Sequence, residues 1–385
     1  MAQNSRALAG SMIMMSRLFY ALNWFNISPA LGDIVKTFGI STYQVGALLS
    51  SFLVGAGVFQ VPAGIVSAKI GAKNTAMMGM FIMSISVIVS AFSASFLELL
   101  ILRFITGIAA AFFFSTAIGI INDLYSSNVT SMIGLYNGFF AIGGGIGIFL
   151  FTPIVSMYGW RMDMLLAGVL TLIVSIITFF AIPASKAHGI ASMKEVFRRI
   201  FSVTIWLVAI GLEGIWALNY TFSEVFQTYA ENIVGIPSLT AGLMGGMILF
   251  SGIIGGYLTG TFRKFNRLRL VFVVPLFIGV MIMMIPLLNE IGLWAVTILE
   301  GTFAVVVISL EYGLVVQLDR DSRFVPLNVG IVNSIQIGLG STVPLAFTFI
   351  QGYGYSFSWL FLGAFGFLTL PFLGLAVRKK YVASF

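Results

Sequence analysis

Residues 7–30 read ALAGSMIMMSRLFYALNWFNISPA, and residues 203–230 read VTIWLVAIGLEGIWALNYTFSEVFQTYA. A bilayer core is crossed by about 20 apolar residues in helix, so each stretch predicts a membrane span. Each also holds a charge about ten residues in, Arg17 in the first and Glu213 in the second. At 1.5 Å per residue, both lie roughly 15 Å deep. A charge in hydrocarbon is costly, so it usually faces a bundle interior or a watery cavity. Six ionisable residues sit inside apolar runs: Arg17, Arg103, Glu213, Glu224, Glu300 and Glu311. The runs that hold them are 1, 4, 7 and 10, every third one.

The remaining sequence extends the same pattern. The chain has 385 residues, 59% hydrophobic and 9% charged, with a mean hydropathy of +1.05. An ordinary soluble domain is about 25% charged; lipid is the expected solvent here. The net charge of +7 comes from short basic gaps, without a basic face or arginine-rich arm, which argues against nucleic acid. There is no cysteine, so thiol chemistry is excluded, and the single histidine, His188, argues against a metal site. No cofactor is expected. The first run is too long for a signal-peptide core and reads as a retained helix.

Apolar runs recur twelve times, at about 7–30, 42–67, 74–95, 98–123, 131–156, 161–182, 203–230, 239–262, 270–288, 292–317, 325–351 and 356–377. Prolines inside them, such as Pro62, Pro153 and Pro344, are tolerable in membrane helices. Sixteen lysines and arginines fall on one side of a twelve-span layout, and only Lys36 and Arg161 on the other. Both termini are therefore expected on the cytoplasmic side. Trp160, Trp294 and Trp359 open spans on the outer side and Trp206 opens one on the inner side, which fits an aromatic belt or, equally, helix packing. The longest polar interruption divides the chain into bundles 1–183 and 202–385 with a linker at 184–201, in which Ser192–Ile200 is a candidate amphipathic surface helix.

The halves also match in sequence. Gly39-Ile40-Ser41 with Gly46 answers to Gly235-Ile236-Pro237 with Gly242, at an offset of 196 positions. The same offset pairs Gly64 with Gly260, Asn137 with Asn333, Gly144 with Gly340, Thr152 with Thr348, and Arg17 with Glu213. Six-span repeats about an axis along the membrane normal are a known transporter plan.

Several elements resemble the major facilitator superfamily. The stretch Gly64-Ile65-Val66-Ser67-Ala68-Lys69-Ile70-Gly71-Ala72-Lys73 is similar to that family's loop between spans 2 and 3, with Ala68 in place of its aspartate. Arg103 and Gly107 are similar to its R-x-x-x-G element in span 4. Gly134–Phe139 and Gly143-Gly144-Gly145 are similar to its glycine-rich span 5, with Phe139 replacing a proline. The resemblance implies an all-α integral membrane fold of twelve helices in two pseudo-symmetric six-helix bundles. It also implies a secondary transporter whose cavity is lined by spans 1, 4, 7 and 10, with Gly64, Lys69, Gly71 and Lys73 as a gating loop.

Arg17 suits a carboxylate or phosphate, because its planar fork gives two parallel charged hydrogen bonds. Its alternative role is structural, as a permanent pair with Glu213. Tyr20, Asn23, Asn219, Tyr220 and Gln336 are candidate substrate contacts; helix-to-helix hydrogen bonding is their alternative. Glu213, Glu300 and Arg103 are candidates for proton coupling, with Arg103 near a span end, where it can snorkel; a structural role is the alternative for Arg103. Glu224 and Glu311 lie nearer span ends and read as solvated. The glycines of span 5, and Gly252, Gly256 and Gly260, read as packing devices.

The expected function is secondary active transport of a small organic anion, coupled to protons, by a monomer in a prokaryotic plasma membrane. Its partners would be the solute, protons and lipid. A drug or cation exporter and a transport-dead receptor or scaffold are the competing classes. An enzyme would need clustered catalytic groups that this sequence does not offer.

Overall fold

The computed structural model describes residues 3–125, 129–183, 193–261, 267–316 and 325–378. Among these residues, helix is the regular structure and no strand occurs. In chain order the helices are α1 (Gln3–Phe25), α2 (Ile27–Phe38), α3 (Thr42–Val58), α4 (Gln60–Ile70), α5 (Ala72–Ser90), α6 (Phe96–Leu124), α7 (Val129–Phe149), α8 (Phe151–Tyr158), α9 (Trp160–Ala181) and α10 (Met193–Ile200). The second half holds α11 (Val203–Tyr229), continued by a π segment Ala230–Val234, then α12 (Ser238–Phe250), α13 (Gly252–Thr261) and α14 (Arg267–Met283). It ends with α15 (Glu290–Val316), α16 (Val325–Gly340), α17 (Thr342–Gln351), α18 (Tyr355–Leu368) and α19 (Leu370–Arg378).

Among the described residues, eight helices are long and apolar enough to cross a membrane, or nine if α3 and α4, bent by 43°, form one span. Several of the twelve expected runs are helix pairs broken near the middle, which is consistent with the twelve-span reading. Four of the breaks share a cause, while the one at Ser251 has no proline near it. Proline lacks an N–H and clashes with the carbonyl four residues back. The interruptions at Asn26, Phe59, Leu150 and Ser341 each lie three residues before a proline, namely Pro29, Pro62, Pro153 and Pro344. Each proline thus falls in the first turn of the following helix, where it is tolerated.

The first run is longer than expected, because helix resumes after Asn26 and continues to Phe38. Asp33 and Lys36 are therefore helical. At the turns that follow, Gly39 (φ 61°) and Gly235 (φ 82°) are left-handed caps whose N–H groups bond to Val35 and Ala230. Glycine takes this conformation without the Cβ penalty of other residues. The 196-residue repeat is thus a repeat of turn geometry.

Helix contacts follow the same repeat. In the first half α1 packs on α7 and α9, α3 on α6, and α5 on α6 and α9; in the second, α11 packs on α16 and α19, α13 on α15, and α14 on α18. Side-chain-free crossings are duplicated. A Cβ at Gly107 would strike the Phe52 carbonyl, and one at Gly301 would strike that of Ile248. Gly168 closes on Ser84 and Ile88, and Gly363 on Gly279 and Met283. Between the halves, α7 meets α12, α3 meets α16 and α17, and α2 meets α11. Here Gly46 seats the Thr348 hydroxyl, while Gly242 seats that of Thr152.

Some expectations are corrected. Trp160 and Trp359 are buried packing residues and form no belt; Trp359 packs on Phe222, Tyr229 and Phe347. Gly252 closes on Val305, but nothing approaches Gly256, which is no packing device. The amphipathic helix of the linker is present as α10, and Arg199 donates to Asn328 Oδ1 at 2.8 Å. His188 and most of the linker, together with Arg263, Lys264, Arg320 and Arg323, lie outside the described residues.

Candidate functional site

One face of α1 carries Arg17, Tyr20, Trp24 and, beyond the break, Ser28, of which Trp24 and Ser28 reach the second half. Spacings of three and four residues keep side chains on one helix face. The repeat places Glu213, Trp216, Tyr220 and Glu224 at the corresponding positions of α11. The two faces meet. The Trp24 and Tyr220 rings are T-shaped with centres 6.1 Å apart, and Ser28 Oγ donates to the Glu224 carbonyl at 2.9 Å.

Arg17 is buried in an aromatic box. Its guanidinium carbon lies 4.4 Å from the Tyr136 and Phe140 ring centres, 4.7 Å from Tyr20 and 4.8 Å from Phe114. Each such contact contributes roughly 0.5–2 kcal/mol. Arg17 Nε and Nη1 have no hydrogen-bond partner of good geometry, although the Tyr20 and Tyr136 hydroxyls lie beside the guanidinium. Glu213 is buried too, beside Gly340 and Trp216, with both carboxylate oxygens unpartnered. The charged group that acts on it is Glu311, another carboxylate. The structural alternative for Arg17, a permanent pair with Glu213, is therefore absent: rings hold the arginine.

Asn219 Nδ2 donates to both oxygens of Glu300, at 3.1 and 3.2 Å, so these two candidates bind each other. Asn23 Nδ2 donates to the Phe19 carbonyl and to Thr171 Oγ1 on α9, which uses its amide between helices. Tyr20 belongs to the Arg17 box. Tyr220 stacks on Trp216, with centres 5.9 Å apart and planes within 1°. Gln336 lines a crevice too tight for water, with Glu311, Trp216, Leu212, Ile308 and Val315.

Three depth assignments are corrected. Arg103 does not snorkel. It is 3% exposed and donates through Nη1 and Nη2 to the carbonyls of Asn23 and Trp24, both at 2.8 Å, where α1 breaks. The carbonyls freed by the Pro29 break find a fixed donor there. Glu224 and Glu311 are buried, at 0% and 3%; the helix that holds Glu224 continues to Val234, and Glu311 lies five residues before the end of α15. The Glu224 carboxylate makes no hydrogen bond of good geometry, but the Tyr220 hydroxyl and the Arg103 guanidinium both lie within reach of it.

In the presumed gating loop, Gly71 turns the chain between α4 and α5, and Lys73 Nζ donates to the Ile182 carbonyl over the Phe179 ring. Lys69 is exposed, and Gly64 has open space around it.

Sequence reasoning missed the rings. Tyr136 and Phe140 stand four apart on α7, and the 196 offset would have aligned Tyr20 with Trp216 and Trp24 with Tyr220. It also missed Asp163, fully buried in the first turn of α9, whose Oδ1 accepts from Asn26 Nδ2 at 3.4 Å. At the Gly39 end a vestibule of about 520 Å³ opens between the halves, lined in part by Asp33, Lys36, Glu231 and Asn232. Gln227 Nε2 bridges the halves beside it, donating to Thr152 Oγ1 at 3.1 Å and to Glu231 at 2.8 Å. Among the described residues, no group of three or more histidines, cysteines, aspartates or glutamates is placed to hold a metal.

A buried cation and buried carboxylates on helices that meet at the midline define a class of membrane transport proteins. The Major Facilitator Superfamily pattern matches residues 13–323, and the chain belongs to that family. It is a multi-pass membrane protein of that family.

It is similar to a D-galactonate transporter of Escherichia coli, 25% identical over 93% of this chain and 92% of that one. It is also similar to the 4-hydroxybenzoate transporter PcaK of Pseudomonas aeruginosa, 28% identical over 42% of this chain. The chain spans only 36% and 40% of the length of two of the relatives it matches. In fold it is similar to a bacterial homolog of the human lysosomal transporter Spinster, solved in an inward-facing and occupied conformation. That likeness has a TM-score of 0.81 at 16% identity over the whole of both chains.

Proposed function

We propose that this protein carries a small organic anion across the membrane by alternating access, with Arg17 as the anion-binding group. The observation that carries the reading is the Arg17 guanidinium, buried, with Nε and Nη1 unpartnered. Such donors are costly to bury unused. A carboxylate supplies two acceptors in the geometry that the fork matches. The names of two relatives, transporters of 4-hydroxybenzoate and D-galactonate, agree with this class.

The bundles 1–183 and 202–385 would rock against each other about the α1–α11 contact, joined by the linker 184–201, with both termini cytoplasmic. Glu213 is the preferred proton carrier, because its oxygens are unpartnered and its protonation can follow its surroundings. Glu300, bonded to Asn219, is second. Counterflow in reconstituted vesicles tests the reading. Arg17→Lys keeps the charge but loses the fork, so affinity for organic anions should fall markedly. Intact anion binding by Arg17→Ala would end the proposal. Loss of cation binding in Glu213→Gln, with Arg17→Lys unaffected, would favour a cation exporter instead.

A further inference from the structure

We infer that Gln227 is a latch that holds the two halves together beside the vestibule, and that Glu231 is the residue that positions it. The inference rests on the rocking of the halves proposed above and not on the identity of the solute.

Gln227 and Thr152 belong to opposite halves and are each 2% exposed, so bulk water does not compete for their contact. Gln227 Nε2 donates to Thr152 Oγ1 at 3.1 Å and to Glu231 Oε1 at 2.8 Å. The Thr152 hydroxyl sends its own proton to the Ile148 carbonyl at 2.8 Å, a shorter contact than its 3.3 Å approach to Gln227 Oε1. Its lone pairs are left for the amide. An ionised carboxylate accepts and does not donate. Glu231 therefore turns the NH2 end of Gln227 toward itself, and the second hydrogen of that group faces Thr152. Ser238 Oγ donates to the same Glu231 oxygen at 2.9 Å and fixes the carboxylate in turn.

The repeat separates this link from ordinary packing. The interface has two equivalent seats, Thr348 against Gly46 and Thr152 against Gly242. At the first, the offset of 196 puts Leu31 where the second half has Gln227, and Val35 where it has Glu231. The Thr348 hydroxyl bonds to the carbonyls of Pro344 and Leu345 in its own helix. The backbone differs as well. The helix α2 stays regular to Phe38, whereas the helix of Gln227 passes into the π segment Ala230–Val234, which carries Glu231. Such π segments occur frequently at functional sites. One seat is thus closed by shape, the other by shape and a latch. Thr152, Glu231 and Ser238 line the vestibule, so the latch stands where access from that end must open.

The test reads alkylation of a Val225→Cys substitution in the purified full chain, at a buried position beside the vestibule. Thr152→Val keeps the shape of the seat, and Gln227→Leu keeps the bulk of the side chain; each loses the link. Either should raise the alkylation rate roughly two- to tenfold, the worth of one buried hydrogen bond. Together they should give no more than either alone, because both remove one interaction. Glu231→Ala should match Gln227→Leu and add nothing to it, while Glu231→Gln, which keeps an acceptor oxygen, should restore most of the parental rate. Thr348→Val should leave the rate unchanged. Melting temperatures establish that the variants are folded; should Gln227→Leu fail to fold, Thr152→Val against Thr348→Val decides. Parental rates in Thr152→Val and Gln227→Leu, with Gly46→Val still raising alkylation, would overturn the latch and leave the rocking reading standing. Parental rates in all three would overturn both. An equal rise in Thr348→Val would reduce Thr152 to packing and overturn the latch as well.

Discussion

Trp24 and Tyr220 meet edge to face with ring centres 6.1 Å apart, and they are 196 positions apart in the chain. Ser28 and Glu224, bonded through Ser28 Oγ, are separated by the same 196. A residue that touches its own repeat equivalent must lie near the axis relating the repeats. The axis therefore passes between α1 and α11, with the aromatic box of Arg17 on one side and Glu213 on the other. Contacts along an axis change least when two bundles rock, which suits a site that must hold its solute throughout.

The symmetric seats at Gly46 and Gly242 bring the two halves together beside the vestibule at the Gly39 end. A side chain at Gly46 would overlap the Thr348 hydroxyl and approach the backbone of Pro344 and Leu345. Gly46→Val should therefore disfavour closure, with overpacking of this kind costing about 1–3 kcal/mol. The chain has no cysteine, so a single Val225→Cys substitution, buried beside the vestibule, can report the change. Its alkylation should rise several-fold when Gly46→Val is added. Unchanged alkylation together with normal transport would contradict this role.

Arg103 is predicted to hold the α1 break together. Its two hydrogen bonds go to the carbonyls of Asn23 and Trp24. Lysine cannot reproduce both from one position. Arg103→Lys should lower the melting temperature, with a loss on the order of 1–3 kcal/mol, and reduce uptake and counterflow alike. A variant with normal stability and counterflow, but defective only in gradient-driven uptake, would instead assign Arg103 to coupling.

Much of this architecture was legible in the sequence, and the reasons are physical. Apolar run length sets the spans, and glycines needing a left-handed turn recur at Gly39 and Gly235. The linker helix α10 showed as an amphipathic pattern. Depth was less legible, because run ends were taken from hydropathy while helices continue past them. Hydropathy puts Glu224 near an end, yet helix persists to Val234 through the charged Glu231. The partner of Arg17 was sought among opposite charges. Rings satisfy a cation too, and a ring in an apolar run leaves no mark that separates it from ordinary packing.

Asn219 and Glu300 should show a pH signature when altered. Asn219→Asp would replace the donor amide by a second carboxylate against Glu300, with no room for two negative charges in apolar surroundings. The pair would then have to share a proton. The variant should be destabilised relative to the parent at neutral pH, and the deficit should shrink as pH falls, because protonation restores a donor between the oxygens. Melting curves across the acid range check the sign. A deficit that grows on acidification would be the wrong sign.

The final prediction concerns Arg17 and Glu213, the repeat-related charges. Were they a structural pair, the exchange Arg17→Glu/Glu213→Arg would restore stability lost in either single variant. The structure predicts the opposite. At position 17 a carboxylate would face the negative faces of Tyr20, Phe114, Tyr136 and Phe140. At position 213 an arginine would press on Gly340 and Trp216, which already close on the shorter glutamate. The double variant should therefore melt below both single variants. Glu213→Gln alone, nearly the same in shape, should stay folded and keep counterflow while losing uphill uptake. Recovery of stability in the double variant would mean that the two charges meet during the transport cycle, and Arg17 would then lose its standing as a free anion site.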